Sequence, residues 1–177
     1  MRTMLTATQT RVAAMLVLVL ASAACSKNDK PDPKPSKLMS PLESYASVKD
    51  VQGDLKIKGD AWEVIEDRKP LVSDTRPLFQ TYTVALPTYF HRGVQGKLVL
   101  HFYNDRLMRT QFYPHDIDAY RSALEREDKL SFNDQQETFI DPATKVWIGK
   151  DDKGAKYVGW VDKNLKAEMD DWIKKYS

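Results

Sequence analysis

The chain has 177 residues, 27 Lys and Arg against 25 Asp and Glu, a formal net charge of +2, three histidines and one cysteine. That length accommodates one domain with a real core. A lone cysteine rules out an intramolecular disulfide, and the near-neutral charge leaves nucleic-acid binding without an electrostatic warrant.

Residues 1–24 contain no acid, carry Arg2 and Arg11 as their only charges, and run through an apolar stretch from Val12 to Leu20 into Ala21-Ser22-Ala23-Ala24. A basic head, a short greasy middle and small residues before a cut are the layout of a secretory signal peptide. A membrane-spanning helix needs roughly 20 apolar residues, so removal is expected rather than a permanent span. Removal takes two Arg and no acid, leaving 25 cationic against 25 acidic side chains. Attachment to a membrane then cannot come from a basic surface.

The stretch Ser22-Ala23-Ala24-Cys25 resembles the lipobox of bacterial lipoproteins, with Ser22 where that pattern prefers Leu. The resemblance implies acylation of the Cys25 thiol by palmitate-like chains, cleavage just before it and, usually, acylation of the new amine. Two such chains anchor firmly, each buried CH₂ contributing about 0.8 kcal/mol. The alternative, an ordinary signal cut nearby, leaves a stray thiol that is a liability in an oxidising compartment. In such lipoproteins Asp after the cysteine favours the inner membrane; Ser26 here implies the outer membrane, facing the periplasm.

From Ser26 to Ser40 the chain has no aromatic, alternating charge, and prolines at 31, 33 and 35. This reads as a tether which, at roughly 3.1 Å per residue, reaches about 45 Å. The expected organisation is therefore a signal peptide at 1–24, a lipidated cysteine with a Pro/Lys-rich tether at 25–40, and a globular domain at 41–177.

Period-two alternation marks strands in that domain. Trp62 and Val64 share a face in 61–66; Tyr82, Val84 and Leu86 share one in 81–86. Leu98, Leu100 and Phe102 alternate with Val99, His101 and Tyr103; after Asn104-Asp105, Leu107, Arg109, Gln111 and Tyr113 alternate with Met108, Thr110 and Phe112. Asn and Asp tolerate the positive φ of tight hairpins, which pairs these two strands. Gly93 and Gly96 suit the turn of a preceding hairpin. Lys145 to Gly149 and Ala155 to Val161 flank Asp151-Asp152-Lys153-Gly154 as another, with Trp147 and Trp160 on its arms.

One helix is expected from the N-cap Asp116 to Glu127, burying Ile117, Tyr120 and Leu124. A second runs from the cap Asp162 to about Tyr176, with Leu165, Met169, Trp172, Ile173 and Tyr176 as its apolar stripe; a third covers part of 42–55, where Gly53 blurs its end. The fold class is α+β: one domain, an antiparallel sheet built of hairpins, and two or three packing helices.

Chemistry-bearing motifs are absent. No Gly-x-Ser-x-Gly turn occurs, and His91, His101 and His115 have no second His or Cys at metal-ligand spacing. His101 reads as a second-face histidine. No cofactor, metal site or catalytic residue is expected. The most unusual local cluster is Tyr89-Phe90-His91-Arg92 leading into a glycine-containing loop, a composition found at interface hot spots. Packing of a hairpin end gives the same pattern. Arg68 and Arg76 would extend such a surface.

The mature region is similar to small outer-membrane lipoproteins of the barrel-assembly accessory type, the small-protein/outer-membrane-lipoprotein family. The likeness rests on Cys25 with its lipobox, on Ser47-Val48-Lys49-Asp50-Val51-Gln52-Gly53-Asp54-Leu55, on Trp62-Glu63-Val64, and on the segment Leu98 to Leu107, and it covers residues 45–112. That family's glycine-proline turn is missing, and Lys145 to Ser177 has no counterpart in it. The likeness implies a lipidated cysteine, a tether, a helical opening and an antiparallel sheet. The expected role is a non-enzymatic envelope lipoprotein, membrane-held by lipid, that binds or scaffolds another periplasmic or outer-membrane protein. The alternative is a lipid-tethered inhibitor or immunity protein against an envelope hydrolase.

Overall fold

The computed structural model describes residues 34–58, 61–70 and 73–177. The signal peptide, Cys25 and the first part of the tether lie outside the described residues.

Helix α1 (Val48–Asp54) opens with a capping box: the Ser47 hydroxyl accepts from the Asp50 amide and the Asp50 carboxylate accepts from the Ser47 amide. These reciprocal bonds satisfy two otherwise orphaned helix donors. Strands β1 (Glu63–Arg68), β2 (Thr81–His91), β3 (Val94–Tyr103) and β4 (Arg106–Pro114) follow, then α2 (Ile117–Ala123), which continues into a π-helical turn at Leu124–Asp128. Strands β5 (Glu137–Phe139), β6 (Thr144–Lys150) and β7 (Lys156–Asp162) and helix α3 (Lys163–Tyr176) complete the chain. All seven strands form one open antiparallel sheet in the order β1-β2-β3-β4-β7-β6-β5. The fold is α+β in a single domain.

Asn104 and Asp105 take φ of 50° and 56°, the double positive pair of a two-residue hairpin turn. The β2–β3 turn is Arg92-Gly93, with φ of 51° and 75°. Gly96 is therefore not a turn residue. It lies in β3, where a Cβ would strike the Tyr113 carbonyl and the Phe112 ring.

Two bulges redistribute the faces. One extra residue in β2 between Leu86 and Tyr89, where Pro87 cannot donate to the ladder, turns Tyr89 and His91 toward the core and Phe90 away from it. The other places His101 opposite Arg109 but Phe102 opposite Leu107, so Leu107 joins Phe112 in the core although strict alternation sets them apart.

The core face of the sheet carries Val84, Leu98, Leu100, Phe112, Val158 and Trp160, closed over by Tyr120 and Leu124 and by Leu38, Met39 and Leu42. Two of these, Leu38 and Met39, correct the expected domain boundary. The folded unit begins upstream of Pro41, because Leu38 and Met39 are buried in the same core as Leu42. Ser36, also buried, donates its hydroxyl to the Asp162 carboxylate at 2.6 Å. The other oxygen of Asp162 accepts from the amides of Asn164 and Leu165, so one carboxylate caps α3 and fastens the incoming chain.

On the opposite face, α3 packs Leu165 and Trp172 against Phe79, Tyr103, Met108 and Val161 at one end of the sheet. Ile173 departs from the expected stripe and is 40 % exposed. Trp147 and Trp160 lie on opposite faces, Trp147 opposite Gly159 and Trp160 opposite Val146, so they make no contact with each other across the hairpin.

Candidate functional site

The sheet divides the expected Tyr89-Phe90-His91-Arg92 surface into unrelated parts. Tyr89 is half-buried, edge-on to Phe112 with ring centroids 6.4 Å apart. Phe90 alone projects outward, 62 % exposed. His91 is 7 % exposed, its Nδ1 2.6 Å from the Tyr120 hydroxyl. Burial, reinforced by the Arg92 charge, pushes its pKa down to about 4. The Ser40 backbone opposes that shift without completing a hydrogen bond to Nε2. Arg92 makes a bidentate ion pair with Asp128, with Glu127 at 3.8 Å, and so fastens the hairpin turn to the π-helical turn. These are mainly packing roles.

Arg68 and Arg76 do not extend that cluster. Arg68 pairs with Thr81, ten residues from His91 along β2, or about 33 Å at strand rise. Arg76 binds Asp74 and donates to the Tyr176 carbonyl near the end of α3. A cleft of about 480 Å³ lies beside His91, bordered by Ser40, Pro41, Asp128 and Trp160. Among the described residues no three His, Cys, Asp or Glu side chains converge as a metal site would require.

The second face of the sheet offers a more unusual arrangement. Helix α3 covers only its Tyr103–Met108–Val161 end. Beyond that end, Thr83, His101 and Arg109 form one cross-strand row, and Val99, Gln111, Gly159 and Trp147 form the next. The Thr83 hydroxyl is 3.2 Å from His101 Nδ1, and His101 Nε2 is 2.8 Å from Gln111 Oε1. A neutral imidazole satisfies both contacts if Nε2–H donates to Gln111 and Nδ1 accepts from Thr83. Desolvation, with the Arg109 charge adding to it, pushes the His101 pKa down to about 3.

Arg109 is the anomaly. Its Nη2 lies 3.2 Å from both nitrogens of His101, its Nε is buried without a partner, and among the described residues no carboxylate pairs with it. Desolvation lowers the pKa of the guanidinium. A charge taken partly out of water without a counter-ion opposes folding. Around it stand aromatics. The Trp147 indole lies over Gly159, where a Cβ would come within 2.5 Å of it, and Trp147 meets Tyr157 edge-on at 6.1 Å. Tyr157 in turn meets Tyr113 at 5.2 Å, and Lys97 Nζ lies 4.4 Å above the Tyr113 ring. Phe90, paired with Gln95, projects from this same face.

Between this band and α3 runs a groove of about 500 Å³. Met108, Trp147, Val161 and Met169 supply its apolar lining, with Arg109, Lys145, Lys163 and Lys166 against Glu137 and Asp170. Both carboxylates are already engaged, Glu137 by Lys145 at 2.6 Å and Asp170 by Lys166 at 2.5 Å. The Lys163 ammonium rests over Phe139 at 5.2 Å.

Sequence reasoning put His101 and Arg109 on second faces but did not bring them to Trp147 and Tyr157. The available signal was the run Arg109-Gln111-Tyr113 opposite His101, too polar and too aromatic together for an ordinary wet face. Scanned against protein-family models the chain matches none, and no similar curated protein and no similar solved structure is found.

Proposed function

We propose that this chain is a non-enzymatic lipoprotein of the bacterial envelope, held in the outer membrane by acylated Cys25, whose domain binds another envelope protein through the uncovered face of its sheet. The observation that carries the binding role is the band of Tyr113, Tyr157, Trp147 and Arg109 left open beside α3. Tyr, Trp and Arg are the residue types that dominate binding energy where proteins meet. Rings already held against one another lose little entropy when a partner covers them. Phe90 and Lys97 extend the band toward the β2–β3 turn, so one of the four residues first singled out contributes to it.

The anchor sets the geometry of that encounter. With Ser36 fastened to Asp162, ten residues, 26–35, separate Cys25 from the first buried side chain of the domain, fewer than the fifteen of the expected tether. Tyr113→Ala with Tyr157→Ala, made together in the lipidated chain, tests the binding face. Stoichiometric capture of a partner from crosslinked envelopes should fall at least about ten-fold, equivalent to roughly 1.4 kcal/mol, with the thermal melt nearly unchanged. Undiminished capture by the folded double variant refutes it. Cys25→Ser tests the anchor: loss of acyl labelling and release from membranes are expected, and continued retention contradicts the reading.

A further inference from the structure

We propose that the groove between α3 and strands β4, β6 and β7 receives a carboxylate-bearing side chain of the protein partner, with Arg109 as its counter-ion. This rests on the binding role proposed above and specifies the chemistry of the partner.

The argument begins with charge. Four cations and two carboxylates line the groove, and both carboxylates are neutralised by Lys145 and Lys166. The surplus resides on Arg109 and Lys163. Lys163 is compensated in part by the Phe139 ring, whereas among the described residues the side-chain hydrogen-bond partner of Arg109 is His101, held neutral. A guanidinium kept without a counter-ion in a partly dry setting binds an arriving carboxylate more strongly than one in water, because much of its desolvation cost is already spent. Geometry limits the occupant further. Met108, Val161 and Met169 offer apolar contact for side-chain methylenes. A free inorganic anion such as phosphate has no methylenes to meet that lining, so the apolar walls favour a carboxylate carried on a side chain. The groove opens directly onto the Trp147–Tyr157–Tyr113 band, so a chain crossing the face can place one acidic residue on Arg109 while apolar neighbours meet the rings.

The test uses the lipidated chain in nanodiscs, ¹⁵N-labelled at tryptophan, titrated with two blocked peptides, acetyl-Phe-Glu-Leu-amide and acetyl-Phe-Gln-Leu-amide. Four indole signals are expected, from Trp62, Trp147, Trp160 and Trp172. The Glu peptide should move the Trp147 signal and leave that of Trp62, with a Kd in the millimolar range and at least five-fold tighter than the Gln peptide. Raising salt from about 50 to 300 mM should weaken the Glu peptide alone. In Arg109→Gln the Glu-over-Gln preference should vanish, and Arg109→Lys should restore part of it. Equal binding of the two peptides, a preference that survives Arg109→Gln, or no Trp147 shift overturns the proposal. If any of these occurs while the Tyr113/Tyr157 double variant still loses its partner, the carboxylate proposal alone fails. If that variant captures normally, the face itself is refuted.

Discussion

Arg109→Met should make the protein more stable, the reverse of what removing a structural arginine does. Methionine keeps most of the aliphatic stem that packs beside Met108 and Trp147 but removes a guanidinium with a buried, unbonded Nε and no carboxylate partner among the described residues. Replacing buried ionic groups by apolar ones of similar volume gains 1–4 kcal/mol in favourable cases, roughly. Arg109 is only partly buried and makes one contact with His101, so about 1 kcal/mol is the appropriate figure here. In a domain of this size that raises Tm by about 2–4 °C. The assay is thermal unfolding of the lipidated chain followed by circular dichroism at pH 7, with peptide titration in parallel. Stability should rise while carboxylate binding disappears, the signature of a residue kept for recognition at the expense of the fold. A fall in Tm of more than about 2 °C would identify Arg109 as a structural brace and refute the reasoning.

Three further outcomes follow from the same geometry. Asp162→Ala removes two α3 cap bonds and the Ser36 hydroxyl's charged acceptor, leaving that hydroxyl only Ser44, so it should cost about 2 kcal/mol, with Ser36→Ala costing about 1 kcal/mol, both read from urea unfolding midpoints. His91 is held neutral with its pKa pushed from 6.5 to about 4, so the unfolded chain takes up the proton first as the solution is acidified. The stability that neutral His91 contributes is complete above about pH 6.5 and declines as pH falls toward 4, by about 2 kcal/mol at pH 5. His101 acts in the same direction, its pKa being about 3. His91→Gln should therefore roughly halve the fall in stability between pH 7 and 5 in denaturant melts, the remainder belonging to His101, and an unchanged slope counts against the buried neutral imidazole. Gly159→Ala should displace the Trp147 indole from its seat over the glycine, which a distinct near-ultraviolet circular dichroism band would report, and should weaken partner capture as much as the tyrosine substitutions do.

Local signals in the sequence account for much of the fold. Asp116 and Asp162 cap their helices because a carboxylate one residue before a helix accepts its free amides. Asn104-Asp105 turns β3 into β4 because both residues tolerate positive φ. What sequence reading lacks is whatever depends on an extra residue or a distant partner. The bulges after Leu86 and at Met108 leave alternation locally plausible while exchanging faces, which is why Tyr89 and His91 look like loop-tip residues and lie in a strand against Phe112 and Tyr120. The segment Ser36 to Leu42 has the Ser, Lys and Pro content of a spacer, yet three apolar side chains and one hydroxyl build it into the domain. The Arg109 site needs β4 beside β7, a pairing between segments some fifty residues apart that the hairpin patterns do not specify. Even so, Arg109, Gln111 and Tyr113 stand on the face that alternation assigns them within β4, and of the groove residues in that strand Met108 alone is moved there by the bulge.

The account's central claim is that the uncovered sheet face meets a protein partner in the envelope. Its most direct test places a photo-crosslinking amino acid at Lys97, beside Tyr113, and in a second strain at Arg126, on the covered side of the sheet, and irradiates intact cells. The account predicts one discrete protein adduct from position 97, lost when Tyr113 and Tyr157 are replaced by alanine, and none from position 126. No adduct from position 97, or equal adducts from both positions, would contradict it.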